Sequence, residues 1–210
     1  MLAQHMQDIK NIIFDFGDVF IDLDKPASLK LILKKYPDFK VTREIEILNN
    51  NYEKGLISTN DFSKGYQEFL PKETKESIAE IWNSIILTIP SHRLDFIEEL
   101  AESNNYRLFL LSNTNALHIE KVKENIGMEC YIRFQKCFEK FYLSHEINYR
   151  KPNADIFEFV LNENKLLPED TLFVDDTKEH IETAQKLGLR TWHLTPVKED
   201  VTELMNKKFD

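Results

Sequence analysis

Three aspartates stand at the ends of apolar runs and offer the chemistry of a metal site with a carboxylate nucleophile. Asp15 follows the run Asn11–Phe14, and the adjacent pair Asp175 and Asp176 follows the run Thr171–Val174. Carboxylates gathered in one pocket raise one another's pKa unless a cation offsets their repulsion. Magnesium prefers oxygen ligands and retains several waters. We therefore predict Mg²⁺ as the cofactor and Asp15 as a nucleophile that the metal keeps ionised.

The predicted metal site draws on four residues. Asp15 and Asp175 each supply one carboxylate oxygen, and the backbone carbonyl near Gly17 supplies a third ligand. Asp176 is placed to hold a metal-bound water. A carboxylate that attacks phosphorus forms an aspartyl phosphate, which water then hydrolyses.

Phosphate-binding groups follow two further segments of the chain. Ser112, Asn113 and the N–H groups of the helix after them are suited to holding phosphoryl oxygens. Lys151, in the sequence Arg150-Lys151-Pro152, adds a positive charge that offsets developing negative charge. Each motif alone is explained by a turn, a helix cap or a solvated charge. Their joint occurrence in this order, each at the end of a strand or the start of a helix, favours a catalytic site.

The elements that must position these groups alternate between strand and helix in the second half of the chain. Predicted strands lie at 106–112, around 137–143, at 171–175 and at 190–194, in addition to the run that ends at Asp15. Predicted helices lie at 92–103, 116–126, 153–164 and 178–187. This alternation predicts an α/β fold with a doubly wound parallel sheet. Such sheets bind ligands beyond the carboxyl ends of their strands, where the chemical residues stand.

The segment 24–90 lacks a strand pattern and is predicted to hold about four helices. Its last apolar stripe has the i, i+3, i+4, i+7, i+8 spacing of a helix and consists of Ile78, Ile81, Trp82, Ile85 and Ile86. We predict a catalytic α/β core from 1–23 and 91–210, with residues 24–90 as a helical insert after the first strand. Trp82 is interpreted as a core residue of this insert.

The composition of the chain limits the kinds of molecule that it is expected to bind. The 210-residue chain carries a formal net charge of −9, which disfavours nucleic acid and anionic membranes as partners. No run approaches the ~18 apolar residues of a membrane span, and Met1 to Lys10 has no apolar signal-peptide core. Cys130 and Cys137 form no disulfide framework or metal-ligand pattern. These features predict a cytoplasmic protein. A helical insert that closes over the site fits a small, soluble metabolite better than a phosphoprotein. They indicate no particular oligomeric state.

The chain resembles the haloacid dehalogenase-like hydrolase superfamily, and the resemblance extends from about Lys10 to Leu194. It is carried by four motifs, which are Phe14-Asp15-Phe16-Gly17-Asp18-Val19, Leu110-Leu111-Ser112-Asn113-Thr114-Asn115, Tyr149-Arg150-Lys151-Pro152 and Phe173-Val174-Asp175-Asp176. Within the superfamily the motifs look most like those of bacterial sugar phosphatases of the glucose-1-phosphatase kind. The helical insert lies where this family has its C1 cap.

The resemblance implies a phosphoric monoester hydrolase that acts on a small phosphorylated metabolite, such as a sugar phosphate. It implies that Asp15 is the nucleophile and a magnesium ligand, that Asp175 is a ligand, and that Lys151 binds the phosphoryl group. Several alternatives compete with this interpretation. One is a phosphate-binding or regulatory protein with little turnover. A dehalogenase would not need the metal, and a mutase that moves a phosphoryl group within a sugar would need a second aspartate to shuttle protons. A receiver domain lacks a helical insert and carries its acidic pair early.

One position departs from the family pattern. The family usually has a second aspartate, a general acid and base, two residues after the nucleophile, and here that position is Gly17. General acid catalysis contributes typically ~10²–10⁴-fold to the rate. Asp18, one residue later, is either a substitute acid or a residue that orients the loop. His118, after the second motif, is interpreted as a surface or helix-face histidine.

The missing acid generates a first prediction. A leaving group of low pKa, such as the anomeric oxygen of a sugar 1-phosphate, needs less help from an acid. We expect the hydrolysis rate of a series of phosphate monoesters to rise steeply as the pKa of the leaving group falls. Steady-state kinetics with substituted phenyl and alkyl phosphates measures this slope, and a flat dependence would show that another residue supplies the proton.

Overall fold

The computed structural model describes Met6 and residues 8–207. Most of the segment Met1–Lys10, which the sequence indicated to lack an apolar signal core, therefore lies outside the described residues. Among the helices of the described part, none is long and apolar enough to cross a membrane. Cys130 and Cys137 are free thiols.

A five-stranded, fully parallel sheet forms the centre of the molecule. Its strands are β1 (Asn11–Phe14), β2 (Arg107–Ser112), β3 (Lys140–Leu143), β4 (Thr171–Asp175) and β5 (Arg190–His193). They lie in the order β3-β2-β1-β4-β5, so β1 is central and pairs with β2 on one side and β4 on the other. The strand order reverses beside β1, and in such sheets the ligand crevice forms at this point.

Helices cover both faces of the sheet and form the insert. They are α1 (Ala27–Lys35), α2 (Arg43–Glu53), α3 (Thr59–Phe69), α4 (Lys75–Asn83), α5 (Ser91–Glu102), α6 (Ala116–Ile126), α7 (Met128–Lys136), α8 (Ser144–Ile147), α9 (Ala154–Asn164) and α10 (Lys178–Lys186). Short 3₁₀ helices lie at Pro168–Asp170 and Val201–Asn206.

Alternate residues of each central strand enter different hydrophobic clusters, because successive side chains of a strand point to opposite faces. Ile12 and Phe14 pack with α5, α6 and α7 on one face, whereas Ile13 packs with α9 and α10 on the other. All four residues of β1 are buried. A strand buried on both faces is typical of a parallel sheet between two helical layers. The predicted doubly wound α/β fold is therefore confirmed.

The four helices α1–α4 have a hydrophobic cluster of their own. Its centre is Phe62, which is fully buried and stacks on Tyr52 with ring centroids 4.1 Å apart. Trp82, at the edge of this cluster, meets Phe62 edge-on at 4.9 Å. The four helices predicted for this segment are present. Trp82, predicted as a core residue, is only partly buried and packs against the cluster from its edge. Helix α4 ends at Asn83, so Ile85 and Ile86 of the predicted helical stripe lie beyond it and pack with the cluster that contains Ile12 and Phe14.

Helices α7 and α8 were not predicted from the sequence. Helix α7 begins directly after Gly127, whose φ of 81° ends α6. Its buried residues, Tyr131 and Phe134, are only three apart, which is too short a pattern to distinguish a helix from a loop. Helix α8 has four residues, which is too few for a periodic pattern in the sequence. The remaining predicted elements differ from the observed ones by one to a few residues at their ends.

The insert cluster generates a stability prediction. Replacing Phe62 with alanine removes the central ring from a closed cluster, and a large-to-small change of this kind costs about 3–5 kcal/mol. We expect the free energy of unfolding in urea to fall by that amount for Phe62→Ala. Leu56→Ala, at a residue that is 59% exposed in the same insert, is the matched control and should change it by less than about 0.5 kcal/mol. Equal losses in the two variants would contradict the assignment of Phe62 to the core.

Candidate active site

Lys151 lies at the centre of the polar cluster at the carboxyl ends of the strands. Its side chain is fully buried, and its Nζ lies 2.7 Å from Asp15 Oδ1 and 2.7 Å from Asp175 Oδ2. The same ammonium donates a third hydrogen bond, of 2.7 Å, to the carbonyl oxygen of Leu111. It therefore joins groups from β2, β4 and the segment after β1, and each of its N–H groups has an acceptor.

The electrostatics of this cluster are governed by burial and by opposed charges. Burial raises the pKa of Asp15 above its usual value, and the positive charge of Lys151 counteracts this only in part, since Asp175 adds repulsion. Burial also acts to raise the pKa of Asp175, but Lys151 and His180 outweigh it and hold the pKa at about 2. Burial acts to lower the pKa of Lys151, and the two carboxylates outweigh it and raise the pKa. Lys151 is therefore charged throughout the neutral range.

The three predicted metal-binding aspartates meet at this place. One carboxylate oxygen from each of Asp15, Asp175 and Asp176 lies within 4.8 Å of the others. Asp15 and Asp175 are buried, and Asp176 is partly exposed. Hard carboxylate oxygens at a partly open sheet edge, with the residues Phe16 and Gly17 beside them, are the donor set that magnesium prefers. The residues present thus fit the predicted ion.

Two residues that the sequence analysis did not single out hold these carboxylates in place. His180, in the first turn of α10, has its Nδ1 2.9 Å from Asp175 Oδ2. The backbone N–H of Thr177 donates to Asp175 Oδ1 at 2.7 Å. The sequence shows that a helix begins within a few residues of Asp175. This pattern does not indicate which side chain of the helix contacts the carboxylate.

A lysine bridge connects the loop after β1 to the acidic pair. Lys25 Nζ lies 2.6 Å from Asp176 Oδ2 and 2.8 Å from Asp18 Oδ2. Asp18 Oδ1 also accepts a hydrogen bond of 3.0 Å from the backbone N–H of Leu23. Asp18 has a φ of 54°, a conformation that aspartate tolerates better than most residues. Of its two possible roles, orienting the loop is therefore the one that these contacts support.

Gly17 is closely covered by a side chain. A Cβ atom placed on Gly17 would lie 2.8 Å from Cδ1 of Leu23, closer than real contacts allow. The place where a second aspartate would begin is thus occupied by a methyl group of Leu23. The packing of Leu23 against Gly17 is thus suited to a residue without a side chain at position 17.

Ser112 and Asn113 differ in how they meet the site. Ser112 ends β2, is 3% exposed and lines a cavity next to Gly17. The carboxamide of Asn113 is paired with the main chain of Lys151, because Nδ2 donates to its carbonyl at 2.9 Å and Oδ1 accepts from its N–H at 2.9 Å. The side chain of Asn113 therefore positions the main chain of Lys151.

His118 is buried rather than on the surface, so the sequence-based interpretation of this residue was wrong. Its ring stacks on Trp82 with centroids 5.2 Å apart, and its Nε2 lies 3.2 Å from the Trp82 carbonyl oxygen. Its Nδ1 lies 3.1 Å from Nδ2 of Asn115, which acts as the donor. The insert packs on the face of α6 that carries His118, and a sequence pattern for α6 alone does not reveal that second cover.

A cavity of about 110 Å³ lies between the insert and the sheet edge. Its lining combines Gly17, Ser112 and Asn113 with apolar side chains of Leu23, Ile85, Ile86 and Val122, together with His118 and Glu53. Glu53 ends α2 and forms an ion pair with Arg150, which directly precedes Lys151. A larger groove of about 520 Å³ lies at the opposite end of the strands, around Lys10 and Arg107, and contains none of the clustered aspartates.

A parallel sheet with this strand order, three aspartates and a lysine at its carboxyl edge defines the class of protein. The family of haloacid dehalogenase-like hydrolases matches residues 12–193. The chain belongs to this family.

Individual relatives agree with this assignment. The chain is 30% identical to a D-ribitol-5-phosphate phosphatase of Bacteroides thetaiotaomicron over 202 residues, which cover 88% of this chain and 91% of the relative. A magnesium complex of the HAD family enzyme BT-2542 from the same organism superposes with a TM-score of 0.83 at 33% identity, over 96% of this chain and all of that chain. Its wild-type complex with magnesium and inorganic phosphate has a TM-score of 0.79 at 33% identity, over 93% and 98% of the two chains.

The predicted superfamily and fold class are therefore confirmed. The phosphoric monoester hydrolase class and magnesium as the cofactor, both inferred from the sequence, agree with the phosphatase relative and the magnesium complexes.

The buried His118 generates a prediction about pH. Burial lowers its pKa from 6.5 to about 4, against the opposing effect of the hydrogen bond to the Trp82 carbonyl. Between these two values the unfolded chain binds a proton that the folded protein does not, so stability falls as the pH falls below about 6.5. From about pH 7.5 to about pH 5 this residue alone should remove about 2 kcal/mol of unfolding free energy.

The measurement is urea unfolding of the wild type and His118→Gln at both pH values. Glutamine keeps a donor near the Trp82 carbonyl but does not titrate. The variant should lose less stability on acidification than the wild type by about 2 kcal/mol. An identical pH dependence in the two proteins would show that His118 does not remain neutral in the fold.

Proposed function

We propose that this protein hydrolyses a small phosphorylated sugar or polyol with Mg²⁺, through an aspartyl phosphate on Asp15. The observation that carries the proposal is the buried contact of Lys151 with both Asp15 and Asp175 at the carboxyl edge of the sheet. A charged lysine buried between two carboxylates costs desolvation energy that a purely structural site has little reason to retain. The D-ribitol-5-phosphate phosphatase relative supports the substrate class.

The proposed metal ligands are Asp15, Asp175, Asp176 and the backbone carbonyl of Gly17. When bound, magnesium supplies positive charge that keeps Asp15 ionised and offsets the charge of the phosphoryl group. Asp176 contributes directly or through water, since its carboxylate is partly exposed and is held by Lys25. His180 and the Thr177 N–H fix the orientation of Asp175.

The first chemical step is attack by a carboxylate oxygen of Asp15 on phosphorus. The new oxygen–phosphorus bond forms as the ester oxygen leaves with its electron pair. In this proposal Ser112 and the backbone N–H of Asn113 donate to the phosphoryl oxygens, and Lys151 contributes its positive charge. The N–H of Thr114 is engaged elsewhere, since it donates to Ser144 Oγ at 2.9 Å. Preorganised donors of this kind stabilise the charge that develops in the transition state.

The second step is hydrolysis of the aspartyl phosphate, which releases inorganic phosphate and restores Asp15. Residue 17 is a glycine and offers no carboxyl group for proton transfer in either step. The carboxylate of Asp18 is already bound by Lys25 and by the N–H of Leu23. We therefore assign proton transfer to the leaving oxygen to a water molecule. This assignment is consistent with a rate that depends strongly on the leaving group.

The helical insert and the α/β core have separate roles in the proposed function. Residues 24–90 act as a cap that closes on the core formed by 1–23 and 91–210 and excludes bulk water. The partner is a small phosphorylated metabolite, with no nucleic acid or membrane involved, and the location is the cytoplasm. The two free thiols, Cys130 and Cys137, are consistent with a reducing compartment.

The first test is hydrolysis of para-nitrophenyl phosphate by the purified protein with magnesium, with a chelator, and for Asp15→Asn. This substrate has a good leaving group and does not rely on a general acid. We expect activity only with magnesium, and a loss of roughly 10³-fold or more for Asp15→Asn, because nucleophile removal has effects of this size or larger.

The matched control is Asp95→Asn, an exposed aspartate on α5 that should retain wild-type turnover. A folded protein that binds magnesium without turnover would replace this proposal with a phosphate-binding or regulatory role. Turnover that survives in Asp15→Asn would instead remove Asp15 from the role of nucleophile.

A further inference from the structure

The cavity between the insert and the sheet edge carries one charged side chain among its described lining residues, and that residue is Glu53. The pKa of His118 is lowered by burial to about 4, so this lining residue is neutral at physiological pH. The remaining lining that does not belong to the phosphate end is mostly apolar. A carboxylate in an otherwise uncharged pocket has a large influence on which ligand binds there.

Glu53 is held in one position from several directions. Its Oε2 pairs with the Nε of Arg150, whose Nη1 in turn donates to the Lys151 carbonyl at 3.1 Å. Its own carbonyl accepts a hydrogen bond of 2.6 Å from Ser144 Oγ. The side chain of Glu53 is 20% exposed and that of Arg150 is 29% exposed. These contacts fix the position of the Glu53 carboxylate relative to Lys151, because Arg150 and Lys151 are consecutive residues of one loop.

One oxygen of Glu53 remains available. Oε2 is paired with Arg150, whereas Oε1 has no hydrogen-bond partner among the described residues. An ionised carboxylate accepts hydrogen bonds and donates none. A hydroxyl group is a neutral ligand group that satisfies such an oxygen.

The backbone beside Glu53 shows that the insert closes tightly here. Gly55 has a φ of 66°, and a Cβ on it would lie 2.0 Å from the His145 carbonyl oxygen. Asn148 Nδ2 donates to the Lys54 carbonyl at 2.7 Å. The turn after α2 is therefore seated against the segment that leads to Lys151, and Glu53 has little freedom to move away from the cavity.

We propose that Glu53, positioned by Arg150, is the specificity-determining residue that accepts a hydrogen bond from a substrate hydroxyl and selects uncharged polyol or sugar moieties. The inference rests on the proposed phosphatase function and adds the recognition of the leaving group. Glu53 disfavours substrates that carry a second anionic group at the far end, because like charges brought together at a partly desolvated site repel strongly.

The size of the cavity agrees with a small ligand. Its volume of about 110 Å³ is several times the roughly 10–15 Å³ that a cavity needs to hold a single water. This leaves room for a small ligand such as a short polyol chain. In this proposal the hydroxyl that meets Glu53 is the one at the end of that chain remote from the phosphate.

The test uses two substrates that differ only at that remote end, ribitol 5-phosphate with a terminal hydroxyl and ribonate 5-phosphate with a terminal carboxylate. We expect the wild type to prefer ribitol 5-phosphate in kcat/KM by at least about tenfold. In Glu53→Gln the ratio of the two kcat/KM values should fall by at least about tenfold, through weaker use of ribitol 5-phosphate and better use of ribonate 5-phosphate.

Three further variants sharpen the result. Glu53→Asp keeps the charge and should keep the direction of the preference. Glu46→Gln removes the same charge from an exposed position of α2 and should keep the wild-type ratio. Glu53→Ser is a second neutral variant in case the glutamine variant does not fold, as judged by its thermal melting.

Two results would overturn the inference, and they are distinguishable. A ratio that stays within twofold of the wild type in a folded, neutral Glu53 variant overturns the role of Glu53 and leaves the phosphatase function intact. A wild type that hydrolyses para-nitrophenyl phosphate but neither five-carbon substrate overturns both the inference and the proposed substrate class.

Discussion

A buried ammonium group is the constraint on which the site depends. Lys151 has no contact with solvent, yet it remains charged because Asp15 and Asp175 lie on either side of it. Removing a single partner of such a group leaves an uncompensated buried charge, which is strongly destabilising. The carboxyl ends of β1 and β4 and the loop before α9 must therefore stay together, and the sheet order with β1 at its centre is what allows this.

The loop that carries Lys151 also joins the two ends of the proposed substrate site. On the side of β2, the side chain of Asn113 forms two hydrogen bonds with the main chain of Lys151. On the side of the insert, Arg150 forms an ion pair with Glu53. In the proposed function, phosphate binding and recognition of the remaining part of the substrate therefore share one short segment of backbone. The ion pair of Glu53 with Arg150 connects the insert to the residue directly before Lys151.

Much of this architecture was readable from local patterns. The apolar run before Asp15, the alternation of strands and helices, and the polar groups at strand ends indicated the sheet and the residues at its edge. These signals are local, because strand burial and helix periodicity are expressed over a few neighbouring residues. The observed clustering of Asp15, Asp175 and Asp176 follows from the topology that those signals define.

The parts that were not predictable depend on contacts between distant segments. The bridge from Lys25 to Asp176 joins residues 151 positions apart, and the pair of Glu53 and Arg150 joins residues 97 apart. His118 was misjudged for the same reason, since its burial comes from Trp82 in the insert rather than from its own helix. Side-chain partners of this kind are determined by tertiary packing, so residue spacing in the sequence does not predict them.

The contact between residue 17 and Leu23 bears on the evolutionary routes open to this enzyme. A lineage that acquired an aspartate at position 17 by a single mutation would first meet the methyl group of Leu23, 2.8 Å from the new Cβ. Cδ1 is the far end of a flexible side chain, so a rotation of Leu23 would be enough to make room for the new Cβ. The packing at position 17 therefore adjusts through one neighbouring side chain and leaves the backbone of the loop in place.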